Sequence, residues 1–440
     1  GAGDNNGAVS NFEKRVVFHH AVNSNSYELI RMSRPRITPL TYRGPYYDIF
    51  HINKNRDVLS QNEPEGFHPL GKTGGPKEIF IMKALRRLRY LAAIAILAGV
   101  AAIAVPQSTR AAETIPILLC PFGCGPMAGD TILMNQLIKE GSDVILLPQE
   151  TPGYMYNIIE MGQTKRKWKS SIFKTEGVLI QIAYAGGSPE MKEFVSVPVK
   201  IPWKILYGEM WWGQGKFLGT FDCNLKTLAD LKGKRISLGL RGQSDWGVYP
   251  RLLLKHVFGI TPKNADIRHM TPGALTQQLI DGVTDAVVIP IGAEPNMKEF
   301  LIPGLVRKLE ATGKKMCYLG VTKEDIDKLN KKFQATWIHV NLKPNTLPHQ
   351  SKPLGIGVNR AYAVVHPTFS DEKAYKVVMA IAKIAPKMKE LHALWRAWSP
   401  GLMTCGLSEE NTHPGAVKAF KELGWWGQTK KCSPMTYPKG

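Results

Sequence analysis

Arg241, Gln243, Ser244 and Asp245 stand together in one polar turn, Arg241-Gly242-Gln243-Ser244-Asp245, and a second turn carries Gly292-Ala293. A guanidinium, an amide, a hydroxyl and a carboxylate within five positions supply donors and acceptors for a small polar or anionic molecule. The chemistry they suit is capture. The chain has no GxSxG, HExxH or GxxxxGK[ST] pattern and no Cys/His pair at a useful spacing, so no catalytic role is expected. His413, alone before Pro414, reads as a helix cap or a packing residue rather than a metal ligand. The plain alternative for the first turn is an exposed arginine on a surface loop.

The flanking residues decide what the turns sit on. Arg235 to Leu240 (RISLGL) predicts a buried strand. After the turn, Tyr249, Leu252, Leu253, His256 and Val257 recur at helical spacing, with Ser244 or Asp245 as N-cap and Gly259 and Pro262 as the stop. Thr271 to Ile280 repeats the helical pattern, opened by Thr271-Pro272, and Asp285 to Ile289 (DAVVI) is a second buried strand. Strand, turn and helix in alternation imply a parallel sheet. In such sheets ligands bind outside the carboxyl ends of the strands, where helix N-termini offer free N–H groups to anions, so both turns fall on one rim.

The upstream chain has the same grammar. Ile115 to Leu119 predicts a strand, Cys120 to Asp130 a glycine-rich turn with Gly123, Gly125 and Gly129, and Thr131 to Lys139 a helix. Asp143 to Pro148 is a second strand followed by the turn Gln149 to Asn157. Val178 to Ala183 is expected as a third, ending in Tyr184-Ala185-Gly186-Gly187-Ser188. Three strands that end in glycine-bearing polar turns would build one wall of a small-molecule cleft. Trp203, Tyr207, Trp211, Trp212, Phe217 and Phe221 then cluster where a connection between lobes must run, and either line that cleft or pack the interface. Further on, Lys323 to Phe333 and Ser370 to Met388 read as helices, Ile356 to Val365 as a returning strand, and 413–427 as a short closing helix.

A chain of 440 residues with 44% hydrophobic content is long enough for two α/β lobes. The net charge of +21 is scattered, its densest run being Lys165-Arg166-Lys167-Trp168-Lys169, which describes a solvated basic face and no nucleic-acid partner. Residues 82–111 have a basic start (Lys83, Arg86, Arg87, Arg89), an apolar stretch from Leu91 to Val105 and a small-residue exit, the pattern of a secretory signal peptide cleaved after Ala111. Residues 1–81 show no sustained periodicity and are expected to be a non-native or disordered extension, with Met82 as the initiator. Cys120, Cys124, Cys223, Cys317, Cys405 and Cys432 all follow that segment, so an exported chain is expected to hold at least one structural disulfide.

Four phrases carry a resemblance: LADLKGKRISLG at 228–239, LTQQLIDGVTDAVVIPIGAEPN at 275–296, DIDKLNKKF at 325–333 and HPGAVKAFKELG at 413–424. Together they resemble the TAXI-type solute-binding proteins of tripartite ATP-independent periplasmic (TRAP) transporters. The first loop, CPFGCGPMAGDTI at 120–132, lacks the paired aromatics usual there, and TPGYMYN at 151–157 matches only in part.

The resemblance implies a type II periplasmic-binding-protein fold, with lobe 1 at 112–205 and 357–440, lobe 2 at 206–356, and a hinged cleft between them. It implies a periplasmic monomer without cofactor or metal that closes on a carboxylate or amino-acid solute and delivers it to TRAP membrane subunits. An ATP-driven importer or a sensor are the alternatives. The cleft residues it implies are Gly123, Gly125, Met127, Thr151, Tyr154, Tyr184, Gly186 and Gly187 from lobe 1, and Arg241, Gln243, Ser244, Asp245, Gly292 and Ala293 from lobe 2. On this reading either Arg241 clamps a carboxylate bidentately, or it faces solvent and backbone N–H groups read the ligand.

Overall fold

The computed structural model of the chain describes residues 111–209, 213–293 and 299–428. The signal-peptide and extension segments before residue 111 lie outside the described residues, as do Trp211, Trp212 and Cys432.

The described chain forms two sheets, each built around three parallel strands. In lobe 1, β1 (Glu113–Leu118) is flanked in parallel by β2 (Val144–Gln149) and β3 (Ile172–Glu176). The sheet is completed by β13 (Ala361–Val365) and β4 (Lys204–Gly208), giving the order β2-β1-β3-β13-β4. In lobe 2, β6 (Arg235–Leu238) is flanked in parallel by β7 (Asp266–His269) and β8 (Ala286–Ala293), and β5 (Gly213–Thr220) runs antiparallel to β8. Three further pieces extend this sheet: β9 (Phe300–Leu301) on β8, β10 (Cys317–Leu319) on β5, and the hairpin of β11 (Ile338–Leu342) and β12 (Leu354–Asn359), whose inner strand pairs with β5.

The two lobes repeat one plan. In each, the fourth strand is antiparallel and comes from the chain that has just crossed from the other lobe: β5 follows β4 into lobe 2, and β13 follows β12 back into lobe 1. The fold is the type II periplasmic-binding-protein fold, two α/β lobes joined by two crossings. The return is abrupt, because only Arg360 separates β12 from β13.

Helices cover both sheets. They are α1 (Gly125–Lys139), α2 (Tyr154–Gln163), α3 (Gly177–Tyr184), α4 (Tyr249–His256), α5 (Pro272–Ile280), α6 (Gly304–Glu310), α7 (Lys323–Phe333), α8 (Asp371–Leu391) and α9 (Pro414–Glu422). Thr322 caps α7 through a capping box with Asp325, the arrangement that satisfies two orphan N–H groups at once. His413 caps α9: its Nδ1 accepts from Gly415 N while Nε2 meets the Phe369 carbonyl at 3.0 Å.

Three sequence expectations change. Val178 to Ala183 is helix, not strand: the third parallel strand is Ile172–Glu176, and the apolar run after it is buried on every side as α3. Periodicity cannot separate a short, wholly apolar strand from a wholly buried helix. Helix α1 starts at Gly125, six positions before Thr131, because Pro126 fits a first helical turn whose N–H groups have no partner anyway. The helix after the polar turn is entered through a wide π turn, Ser244–Val248, instead of a side-chain cap. Of the aromatics, Trp203 and Tyr207 belong to the lobe 1 core and Phe217 to the lobe 2 core, so these three pack rather than line. Disulfides join Cys120 to Cys124 and Cys223 to Cys317.

Candidate functional site

Between the lobes lies a cleft of about 750 Å³. Lobe 1 supplies the stretch from Gly123 to Pro126, Ala128, Glu209 and the segment His392–Leu394 with Arg396. Lobe 2 supplies Asp245, Trp246, Gly273, Thr276, Gly292 and the start of α6.

Two helix N-termini open into this space from opposite sides. Neither α1, after Cys124, nor α5, after Thr271, receives a side-chain cap, and both have proline in the first turn. Pro126 and Pro272 carry no N–H and Ala274 N donates to Thr271 O at 3.0 Å, so in α5 it is Gly273 N, with the positive dipole ends of both helices, that is left for whatever occupies the cleft. Gly123 holds φ +88°, and a Cβ there would lie 4.0 Å from the Gly273 nitrogen, so backbone approaches backbone across the lobes at this point. The Cys120–Cys124 bridge closes the loop that presents Gly123.

Behind the cleft floor the chain buries a set of charges. Lys174 on β3 places Nζ 2.5 Å from Asp130 of α1 and 3.1 Å from Glu209, and all three side chains are essentially inaccessible. Tyr154 of α2 donates its hydroxyl to Glu209 at 3.1 Å. Burial works against the Lys174 charge, but Asp130 and Glu209 offset it and hold the ammonium protonated. Burial raises the Asp130 carboxyl to about 6, still ionised at neutral pH opposite Lys174.

A second group bridges the lobes. Glu176, at the end of β3, accepts from Ser244 Oγ and Asn359 Nδ2, and faces Lys216 Nζ of β5 at 3.8 Å. All three partners come from lobe 2. Lys216 also lies 3.9 Å from Asp245 and donates to Asn359 Oδ1 at 3.0 Å. Burial, opposed by Lys216, pushes the Glu176 carboxyl up to about 7. A folded-state pKa above the ordinary carboxylate value means that the native state holds a proton the unfolded chain releases. Stability contributed by this group is thus full below about pH 4.5 and is lost as pH rises through about 7. Thermal unfolding between pH 4.5 and 7.5 should show this decline in the wild type and a flatter profile in Glu176→Gln; identical profiles would remove Glu176 from the account.

The expected residues divide by position. Gly123, Gly125, Asp245 and Gly292 line the cleft; Tyr154, Gln243 and Ser244, with Asp245 again, line a smaller recess behind it. Ala293 is buried beside Gly292, paired in the sheet with Gly213 and Phe300. Met127 is in the core, and Thr151 braces the backbone, donating to Leu119 O at 2.9 Å and accepting from Gly153 N at 3.2 Å. Tyr184 packs at the end of α3, and a Cβ on Gly186 or on Gly187 would meet residues of the 195–198 segment, away from both recesses.

Arg241 is exposed and on neither wall, while Gly242 O beside it accepts from Met155 N of lobe 1 at 3.0 Å. Of the two readings of this arginine, the solvent-facing one is the geometry found. Asp130, Lys174, Glu176, Glu209, Lys216 and Asn359 were not anticipated. Lys and Glu within the apolar strand IFKTE are the sequence signal for them.

Residues 208–424 match the NMT1-like family. The matched span runs from the end of β4 through all of lobe 2 and back into lobe 1. Among solved structures the chain is similar to the periplasmic binding protein BugD (11% identity over 71% of this chain and 95% of that one, TM-score 0.41). It is also similar to PhnD1 from Prochlorococcus marinus in complex with methylphosphonate (10%, 71% and 99%, 0.38). A third is the alkanesulfonate-binding protein SsuA from Xanthomonas axonopodis pv. citri bound to MOPS (12%, 71% and 91%, 0.35).

Proposed function

We propose that this chain is an extracytoplasmic solute-binding receptor, which captures a small solute by closing two lobes on it and presents the closed form to membrane transport subunits. The observation that carries the reading is a large cleft walled by both lobes, each contributing an uncapped helix N-terminus, above a hinge of two crossings. Closure of that kind requires only that the solute touch both walls.

The cleft suits a solute with an anionic end, facing the helix N-termini, and a donor-bearing end. At the floor Glu209 and Asp245 present carboxylates, while Lys174 and Lys216 stay fully buried behind them. An amino acid has both ends. The membrane partner has two readings: TRAP subunits, supported by the four phrases of the sequence that resemble the TAXI type, and an ATP-driven importer, to which the names of the sulfonate- and phosphonate-binding proteins stand nearer. Affinity capture of the receptor's membrane partner, identified by mass spectrometry, separates the two.

The test of the receptor reading is a thermal-shift screen of the chain against amino acids, dicarboxylates, sulfonates and phosphonates. A solute at 100 times its dissociation constant stabilises the folded state by about 2.7 kcal/mol. At least one class should give a saturable rise in Tm, and a chain indifferent to all four would lose the assignment.

A further inference from the structure

We infer that Arg307 and Arg396, one from each lobe, form the clamp for the anionic end of the solute. This rests on the receptor reading and names the residues that set its ligand class: a molecule bearing an exposed oxyanion group, carboxylate, sulfonate or phosphonate.

Arg307 lies on α6 in lobe 2 and Arg396 follows the segment after α8 in lobe 1, and both line the same cleft. Both side chains are exposed. Among the described residues neither has an acidic partner, whereas Arg235, Arg251 and Arg268 are paired with carboxylates at 2.6–2.8 Å. An arginine without a counter-ion on a cleft wall is held ready for one that arrives with the ligand.

Arg396 follows a segment that packs on the N-terminus of α1, while α6, which carries Arg307, is tied to the second half of α5. Leu394, two residues before Arg396, packs on Gly125 at the start of α1, with its methyl carbons 3.4 Å from where a Cβ would stand. On the other wall Lys308, next to Arg307, donates to Gln277 of α5 at 3.0 Å. The Arg396 guanidinium thus adds a full charge near a helix end that already carries a partial one. With the lobes apart, the solute-free cleft holds on each wall an arginine without an acidic partner among the described residues. An oxyanion bridging the two is attracted to both lobes, and so couples binding to closure.

Inorganic sulfate and acetate, tetrahedral and planar probes, are titrated into the full chain at constant ionic strength with chloride as the displaced anion, and thermal unfolding is followed. The wild type and Arg241→Gln should show a saturable rise in Tm with at least one probe. Arg307→Gln and Arg396→Gln should each weaken the apparent affinity roughly tenfold, as loss of one charged hydrogen-bonding partner does, and the double variant should show no saturable shift. All the exchanged side chains are exposed, and each variant's Tm in chloride alone checks its fold. The inference is overturned if neither probe gives a saturable shift, if the double variant keeps it, or if Arg241→Gln removes it. Should the clamp fail while an organic solute still stabilises the chain, the receptor stands with another anion site; should no organic solute act while the oxyanion site is present, the receptor reading falls instead.

Discussion

Lys174→Met should destabilise the chain by about 3–5 kcal/mol, the cost of removing one partner from a buried charge group. The lysine lies 2.5 Å from Asp130 and 3.1 Å from Glu209, with no solvent access to its side chain, so its loss leaves two carboxylates facing each other with only the more distant Arg360 guanidinium to offset them. For a chain of this size the expected fall in Tm is roughly 5 °C. The direction of the pH effect follows from the same geometry. Without the ammonium, burial favours the protonated form of the Asp130 carboxyl still more in the folded state, so lowering the pH from 7 to 5 neutralises it and should narrow the deficit. Circular dichroism melts at the two pH values check both parts; a loss below about 1 kcal/mol would mean that water reaches the group and the burial argument is wrong.

Gly153→Ala should abolish tight solute binding while leaving most of the folding stability in place. Gly153 has φ +134°, and a Cβ there would stand 2.5 Å from Gly242 O and 2.6 Å from the Gln243 nitrogen and Cα. Those atoms are backbone, and they belong to the opposite lobe. The methyl group therefore acts as a wedge at the contact where Met155 N meets Gly242 O. If it lowers the closed population about 100-fold, apparent affinity falls by the same factor. Backbone strain alone costs roughly 1–3 kcal/mol and would appear as a lower Tm. Gly233→Ala separates the two effects, since Gly233 has φ +80° and nothing within 4 Å of its would-be Cβ. It should lose stability and keep its affinity. Equal affinity in Gly153→Ala and the wild type would show that the lobes need not approach here.

Much of the scaffold was legible in the sequence because it is locally encoded. RISLGL, the polar turn and the apolar face after Tyr249 define a strand, a connection and a helix within one stretch, and the structure places β6 and α4 there. His413-Pro414-Gly415 signals a helix start, and His413 caps it. What stayed hidden is encoded between distant positions. Ile172–Glu176 carries a lysine, a threonine and a glutamate, so its pattern does not look buried, yet every residue of it is. Its charges are satisfied by Asp130 and by Glu209, far away in the chain, and by residues of the other lobe. The next segment, apolar throughout, drew the strand assignment to itself. Arg241 reads from sequence as either a clamp or a solvent-facing residue, because its turn lies past the end of a strand. Position on a rim does not fix direction, and docking of Gly242 and Gln243 on Pro152 and Gly153 leaves the arginine outside.

The central claim is that solute binding and lobe closure are one event, and small-angle X-ray scattering of the chain with and without a saturating solute from the thermal screen tests it most directly. The account predicts a smaller radius of gyration with solute in the wild type and none of that change in Gly153→Ala. A solute that binds at saturation and leaves the scattering of the wild type unchanged would contradict it.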